Sequence, residues 1–140
     1  MKDSLQPGLR VDFQYQVPEN LTVPYLLPES AEFRRMPRVL ASGFMVGLIE
    51  WACIQAVNPH LDWPQEQTVG IGFNLNHVAA TPPGLTVRVR EALDRVAGRQ
   101  LTFAIQVDDG VDKISEGTHD RFIIDEPRFS AKAAAKLERG

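Results

Sequence analysis

Three residues of the sequence, Glu50, His77 and Ser42, combine reactive side chains with unusual positions. Glu50 is the only charged residue between Ser42 and Val57, a run rich in apolar and helix-forming residues. Burying an unpaired carboxylate costs several kcal/mol, so Glu50 must be protonated, paired or open to a cavity. Two interpretations stay open at this point: a structural pair or subunit seam, and a catalytic carboxylate.

His77 follows an alternating stretch in which Val69, Ile71, Phe73 and Leu75 share one parity. If that strand stays regular, the imidazole points to the same side as these apolar residues, toward the helix. A single inward histidine is most often a hydrogen-bonded core residue. A carboxylate and an imidazole on facing elements could instead perturb each other's pKa values and carry general acid/base or nucleophilic chemistry.

Ser42 stands at the start of the predicted helix, where a hydroxyl is a favoured N-cap. Eight residues, about two turns or ~12 Å along a helix axis, separate it from Glu50, so the two cannot touch within one helix. Either Ser42 lies on a non-helical approach, or a second subunit completes the site. Gly43 and Gly47, four residues apart, would permit the close approach of another backbone.

The remaining candidate residues give weaker evidence for a catalytic role. Cys53 has no base beside it in the sequence, which favours an inert packed thiol. His60 falls in a loop, and the side of the sheet that His119 faces is ambiguous. No cluster has metal-ligand spacing and no glycine-rich phosphate loop follows a strand, so we expect no metal or redox cofactor.

The elements that must position these residues follow from periodicity. Alternation over residues 11–17 predicts a strand, and the prolines at 18, 24, 28 and 37 predict a covering segment with no long helix or central strand. The run from Ser42 to Val57 is apolar on every face, which predicts a helix enclosed on all sides. Asn58-Pro59 ends it.

Beyond the helix the period changes to two. Alternating runs over 69–75, 85–89 and 101–107, and a final run over 113–124, predict four strands. Ala97-Gly98 and Asp109-Gly110 predict hairpins between antiparallel neighbours. The predicted fold is α+β, an antiparallel sheet curled round a central helix. We expect one domain over 1–140, with peripheral tails at 1–8 and 127–140 and a frayed surface helix over 131–139.

Composition excludes several classes of protein. The 140 residues are 44% hydrophobic and 24% charged with a net charge of −3, which argues against disorder and against a nucleic-acid binder. A single cysteine excludes an intrachain disulfide and favours the reducing cytoplasm. The N-terminus has no apolar stretch typical of a secretory signal. The apolar run from Val39 to Val57 carries Glu50 and Gln55, so a buried helix is favoured over a membrane span.

Three segments carry a resemblance to a known family: Ala41–Cys53, His77–Val87 and Glu116–Arg121. Together they closely resemble the fluoroacetyl-CoA thioesterase family, whose fold is the hotdog fold, and the match runs over nearly the whole chain. The resemblance implies a catalytic set of a hydroxyl residue, a helix glutamate and a strand histidine. The matching positions here are Ser42, Glu50 and His77.

The resemblance further implies that Gly70 and Arg121 contact the acyl-CoA substrate and that Phe33 and Met36 belong to an apolar lid. Fluoroacetyl-specific members of the family have threonine where this chain has Ser42 and phenylalanine where it has Met36. Serine lacks the methyl group that restricts the threonine rotamers, and methionine is more pliable than a phenyl ring. We therefore expect thioester hydrolysis to be retained and selection for a fluorinated two-carbon acyl group to be less strict.

The predicted function is hydrolysis of a short-chain acyl-CoA, most closely fluoroacetyl-CoA, to the free acid and CoA. Coenzyme A is then part of the substrate, and the hotdog fold implies a homodimer. The charge distribution argues against a nucleic-acid partner, and the sequence predicts no membrane partner. Two alternatives stay open: a hotdog acyl-CoA hydratase or dehydratase, and a non-catalytic acyl-CoA-binding module.

Overall fold

A five-stranded antiparallel sheet and one long helix form the body of the protein. The computed structural model describes residues 1–140, and the strand order is β1-β3-β4-β5-β2. The elements are β1 (Arg10–Gln16), α1 (Ala31–Arg34), α2 (Ser42–Val57), β2 (Glu66–Leu75), β3 (Thr86–Ala97), β4 (Gln100–Asp108), β5 (Lys113–Asp125) and α3 (Glu126–Ala134). The helix, the strands and the α+β class are as predicted.

Two tight turns connect the last three strands. Gly98 and Gly110 have φ values of +62° and +84°, a region that glycine adopts without steric cost, and both predicted hairpins are confirmed. The connection from β2 to β3 is not a hairpin, because β2 pairs with β5 at the far edge of the sheet. Strand β2, which carries Gly70, therefore lies at an open edge of the sheet.

Helix α2 packs one face against the inner side of the sheet. The buried residues Met45, Ile49 and Cys53 lie on that face. The opposite face is open: Gly43 and Gly47 are exposed, and Trp51, which packs edge-on against the ring of Phe13, is 43% exposed. The prediction that the helix is enclosed on all sides is therefore wrong for the single chain, because the chain covers this face only in part and leaves Gly47, Trp51 and Gln55 exposed.

A β-bulge interrupts the predicted alternation in β2. Gly70 pairs with Arg121, Gly72 pairs with Asp120, and Ile71 is the extra residue between them. An extra residue reverses the side on which the following residues face. Phe73 and Leu75 consequently face inward as predicted, whereas Val69 pairs with the exposed Phe122 on the outer side. The single parity assigned to 69–75 is wrong at Val69.

The proline-rich segment before α2 crosses the start of that helix. It contains two short 3-10 turns, Glu19–Leu21 and Val23–Tyr25, followed by α1. Its ends are tied together by the Val23 N–H, which donates to the Val39 carbonyl at 2.9 Å, and it contains no long helix. The expectation of a covering segment is confirmed.

The two ends of the chain differ. Leu5 is 2% exposed and belongs to the core, although residues 1–8 were expected to be peripheral. Helix α3 has no buried residue and begins at Glu126, because the Asp125 side chain accepts a hydrogen bond from the Arg128 N–H and caps it. It therefore starts five residues before the predicted surface helix. None of the helices is both long and apolar enough to cross a membrane.

Candidate active site

Glu50, in the middle of α2, forms an ion pair with Arg121 of β5. The Arg121 Nη1 donates to Glu50 Oε2 at 2.8 Å. The guanidinium is itself fixed, since its Nε and Nη2 donate to the side chain and the carbonyl of Thr68 at 2.8 and 2.7 Å. Arg121 is 2% exposed, whereas the Glu50 side chain is 34% exposed. A rigid buried cation thus holds a carboxylate that solvent can reach.

His119 completes the surroundings of Arg121. Its Nε2 lies 3.1 Å from Arg121 Nη1, and its Nδ1 lies 2.8 Å from the Gly72 carbonyl oxygen. An arginine can only donate, so Nε2 must accept and Nδ1 must carry the proton. Burial, with the nearby Arg121 charge, lowers the pKa of His119 below its ordinary value. The ring is therefore a neutral structural link between β2 and the arginine.

Gly70 provides the close approach between β2 and the carboxylate. A Cβ atom at this position would lie 2.9 Å from Glu50 Oε2 and 2.9 Å from the Phe73 ring. Real Cβ atoms do not tolerate such contacts without movement of a neighbour, so the missing side chain keeps Glu50 beside the strand. Phe73 stacks on His119 with ring centroids 4.4 Å apart and covers this region from the side.

Ser42 and His77 form a second pair. The Ser42 Oγ lies 2.7 Å from His77 Nδ1. The N-cap of α2 is Ala41, and Ser42 is already the first helical residue, so the expected capping role of its hydroxyl is wrong. His77 lies two residues beyond the end of β2 rather than within the strand. The prediction that it faces the helix is nevertheless confirmed by its contact with Ser42.

The environment of His77 leaves it neutral near pH 7. Burial lowers the pKa of its imidazole, and its Nε2 is buried without a hydrogen-bond partner. The neighbouring residues hold it in place: the Val78 N–H donates to the Ile114 carbonyl at 2.9 Å, and the Asn76 side chain accepts from the Glu116 N–H at 2.8 Å. A neutral imidazole bonded to an accessible hydroxyl can accept or relay a proton.

The two groups do not meet within one chain. No hydrogen bond joins Ser42 or His77 to Glu50 or Arg121, as the spacing of about two turns, or ~12 Å, along α2 requires. The structure thus brings Glu50, Gly70 and Arg121 together, and separately brings Ser42 and His77 together.

The two lid residues lie on the covering segment. Phe33, half-buried, is in α1, which Ser30 caps by accepting from the Phe33 N–H at 3.1 Å. Met36 follows the helix and is 48% exposed. The segment packs on the start of α2, where the Leu26 side chain lies 3.1 Å from a Cβ position at Gly43. Both residues thus belong to the segment that packs on the Ser42 end of the helix.

Sequence reasoning missed two polar residues of the interior. Glu91 of β3 is 4% exposed, and the thiol of Cys53 lies beside it. The signal was available, since Glu91 has the same parity as Val87 and Val89 and must face inward with them. Thr68 was missed for another reason. Uniform alternation predicts that it faces outward, whereas the bulge in β2 places it on the inner side of the sheet.

Comparisons with known proteins identify the class of the fold first. A thioesterase-superfamily protein from Thermus thermophilus superposes with a TM-score of 0.83 at 22% identity, covering 98% of this chain and 96% of that one. The predicted hotdog fold is confirmed. Residues 27–127 match the family of fluoroacetyl-CoA-specific thioesterases, and the chain belongs to this family.

Two relatives within the family are similar along all or nearly all of the chain. The fluoroacetyl-CoA thioesterase of Streptantibioticus cattleyicolor is 46% identical over 140 residues, which is 100% of both chains. A solved family structure, a threonine-to-serine variant in complex with acetyl-CoA, is 47% identical with a TM-score of 0.91. It covers 94% of this chain and 98% of that one.

Proposed function

We propose that this protein hydrolyses short-chain acyl-CoA thioesters, with fluoroacetyl-CoA or a close relative as substrate. The observation that carries the proposal is the Glu50–Arg121 pair, because it presents a charge-compensated carboxylate to solvent beside a strand with no side chain at Gly70. The full-length relative named for the same reaction supports the substrate class. The expected independence from a metal or redox cofactor stays part of the proposal.

Glu50 would perform the central step. Its Oε2 is held by Arg121, while Oε1 has no protein partner and can attack the thioester carbonyl or activate water. In the first case an acyl-enzyme anhydride forms, the CoA thiolate leaves, and water then releases the acid. In the second case water attacks directly and Glu50 takes its proton. Both routes expel the same thiol.

The remaining residues would support that step. His77, neutral near pH 7, would move protons to or from water or the acidified α-carbon, and Ser42 would orient the imidazole and the substrate carbonyl. A backbone N–H at Gly70 would stabilise the oxyanion, a contribution of about 3 kcal/mol for a well-aimed donor. Arg121 would fix the carboxylate, and Phe33 with Met36 would cover the acyl group.

A homodimer would unite the two groups of residues. The exposed apolar residues Ile71 and Val78 lie in or beside the open-edge strand β2, and Trp51 lies on the open face of α2. Unpaired strand edges and apolar faces of this kind favour pairing with another chain. Ser42 and His77 of one protomer would then complete the site of its partner's Glu50 and Arg121.

Mixing two inactive variants tests this arrangement. Ser42→Ala and Glu50→Ala are each expected to be inactive, and subunit exchange between them should restore thiol release if the site is shared. Dimeric mass in solution without restored activity would contradict a shared site. A monomeric mass would contradict the dimer.

A cytoplasmic location is also part of the proposal. It is supported by the single cysteine, Cys53, which is a free buried thiol.

Thiol release from a panel of thioesters tests the function itself. Fluoroacetyl-, acetyl- and longer acyl-CoAs are compared by kcat/KM, and the Glu50→Ala variant should release no thiol while keeping its fold. Wild-type-like turnover in that variant would overturn the catalytic assignment. Loss of enoyl-CoA absorbance without thiol release would instead support a hydratase, and saturable binding without turnover would support a binding module.

A further inference from the structure

A buried hydrogen bond joins Thr81 to Asp109, and the proposed chemistry does not use it. The Thr81 hydroxyl donates to Asp109 Oδ2 at 2.8 Å, and the two residues are 0% and 3% exposed. Thr81 belongs to residues 76–85, which connect β2 to β3, and Asp109 belongs to the turn between β4 and β5. The bond therefore fixes the connection that carries His77 against the turn of the last hairpin.

Asp109 is a rigid acceptor for this bond. Its Oδ1 accepts from the Val111 and Asp112 N–H groups at 3.0 and 2.8 Å, and its own N–H donates to the Asp112 carbonyl at 3.0 Å. Burial opposes ionisation of the carboxyl, but its hydrogen bonds outweigh burial and hold the pKa of Asp109 below its ordinary value. A buried carboxylate that loses a donor pays a desolvation cost, so the Thr81 hydroxyl is needed at Oδ2.

The backbone of Thr81 contacts the approach to α2. Its carbonyl accepts from the Leu40 N–H at 2.8 Å. Leu40 is 1% exposed, forms an isolated bridge with Thr22 of the covering segment, and lies two residues before Ser42. In the other direction along the chain, Thr81 lies four residues after His77. Thr81 is thus the point at which the connection that carries His77 meets the approach to Ser42.

The contact between Ser42 and His77 depends on this junction. The Ser42 Oγ lies 2.7 Å from His77 Nδ1, a distance at which a displacement of one ångström breaks a hydrogen bond. The Val78 N–H ties the His77 side to β5 but does not reach the helix. Among the backbone hydrogen bonds of residues 76–85, the one at Thr81 alone reaches the approach to α2. The two halves of the pair are therefore held in register through Thr81.

We propose that Thr81 and Asp109 are positioning residues that set the distance between Ser42 and His77. Neither side chain is hydrogen-bonded to the pair. Asp109 fixes the side chain of Thr81, and the carbonyl of Thr81 fixes Leu40. A misplacement of about 1 Å that arises far from the reacting atoms can cost about 100-fold in rate. The inference rests on the proposed function, because it takes Ser42 and His77 as parts of the site.

Three substitutions separate positioning from stability. Thr81→Val removes the hydroxyl and keeps the branched shape, whereas Thr81→Ser keeps the hydroxyl. Thr102→Val is the matched control, because Thr102 Oγ1 donates to Asp120 Oδ1 at 2.7 Å between β4 and β5. Thr81→Val should lower kcat for fluoroacetyl-CoA about tenfold or more and keep KM within about threefold. The other two variants should keep kcat within about threefold, and urea unfolding measures the stability of each.

The titration of His77 provides a readout that needs no turnover. Thr81→Val should raise the pKa of His77 toward its ordinary value, because a displaced imidazole is less shielded from solvent. Thr81→Ser and Thr102→Val should not raise it. NMR measures this pKa, with the spectrum of His77→Gln assigning the resonance. If Thr81→Val does not fold, Thr81→Cys replaces it with the same expected direction, since a thiol is a weak donor.

The outcomes distinguish this inference from the proposed function. Unchanged kcat and unchanged His77 pKa in Thr81→Val would overturn the positioning role, and so would an equal loss of kcat in Thr81→Val and Thr102→Val. If the wild type releases no thiol from any acyl-CoA, the proposed function fails, and the NMR titration alone decides the positioning role. A pKa raised in Thr81→Val but not in Thr81→Ser then supports that role, and an unchanged pKa overturns it.

Discussion

Two carboxylates face the interior from opposite sides of the molecule, Glu50 from the helix and Glu91 from the sheet. Glu50 is 34% exposed and paired with the fixed guanidinium of Arg121. Glu91 is 4% exposed, lies between Val11 and Ile105 of the neighbouring strands, and has no hydrogen-bond partner on either oxygen. Burial raises the pKa of Glu91 to about 8, so it is mostly protonated at pH 7.

The difference shows what makes an interior carboxylate usable in catalysis. Glu50 has a compensating charge in Arg121 and an open side that a substrate can reach. Glu91 has neither, and its charged form would cost free energy of folding. In our proposal the same residue type thus serves as the reactive group at Glu50 and as a neutral packed acid at Glu91.

Replacing Arg121 should remove the charge compensation that distinguishes Glu50 from Glu91. We expect the largest loss of stability and activity from this change. Arg121→Met leaves Glu50 without its partner, and breaking a pair with one buried member should cost about 3 kcal/mol of unfolding free energy and at least about 100-fold in kcat/KM. Urea unfolding and thiol release measure the two losses. The double variant Glu50→Gln/Arg121→Met serves as the control and should regain part of the stability. Equal stability of the single variant and the wild type would contradict a structural ion pair.

Replacing Glu91 should raise the free energy of unfolding, whereas replacing Arg121 should lower it. Because its folded pKa of about 8 exceeds the ordinary value of 4.5, the folded state binds the extra proton. Stability is therefore fully present below pH 4.5 and declines as pH rises toward 8. Glu91→Gln should remove this decline and stabilise the protein by about 2–4 kcal/mol at pH 9, as measured by urea unfolding at pH 5 and pH 9. A variant with the wild-type pH dependence would show that Glu91 is not the titrating group.

The pH dependence of activity should report His77 rather than Glu91. Burial lowers the pKa of His77 from 6.5, and the proposed role needs the neutral imidazole. The value of kcat/KM should stay flat from pH 7 to 8 and fall about tenfold per pH unit only below the ordinary histidine range. Glu91→Gln should leave this profile unchanged. A decline in kcat/KM between pH 7 and 8 that disappears in Glu91→Gln would show that activity depends on the titration of Glu91, which would contradict our account.

Selectivity should respond least. Ser42→Thr and Met36→Phe restore the side chains expected in fluoroacetyl-specific members, and each should raise the ratio of kcat/KM for fluoroacetyl-CoA over acetyl-CoA by up to about tenfold, because restricted rotamers define the acyl pocket better. Cys53→Ala, on the Glu91 side, is the control and should not change the ratio. An unchanged ratio in both site variants would exclude these residues as determinants of selectivity.

Periodicity predicted much of this architecture, and the failures have physical causes. The alternation of 85–89 and 101–107 and the turn residues Gly98 and Gly110 are local signals, and those strands and hairpins are present. The bulge at Ile71 is not visible in the pattern, because an extra residue between two glycines leaves no mark on hydrophobicity. The open face of α2 was also not predicted, since an apolar face reads the same whether this chain or another covers it.

The residues of the site likewise divide into those that the sequence could predict and those that it could not. Glu50 could be found from sequence because a charge in an apolar helix has no local explanation. Its partner Arg121 could be placed only through the family resemblance, since the pair joins residues 71 positions apart. His119 remained ambiguous because its parity gave no side, and the structure shows it fully buried beside that arginine.

The central claim is that the paired carboxylate is the reactive one and the buried carboxylate is not. The most direct test compares kcat/KM for fluoroacetyl-CoA at pH 7 in two isosteric variants, Glu50→Gln and Glu91→Gln. We predict a loss of about 10³-fold in the first and a change within about threefold in the second. Near-normal turnover in Glu50→Gln, or a comparable loss in Glu91→Gln with the fold intact, would contradict the account.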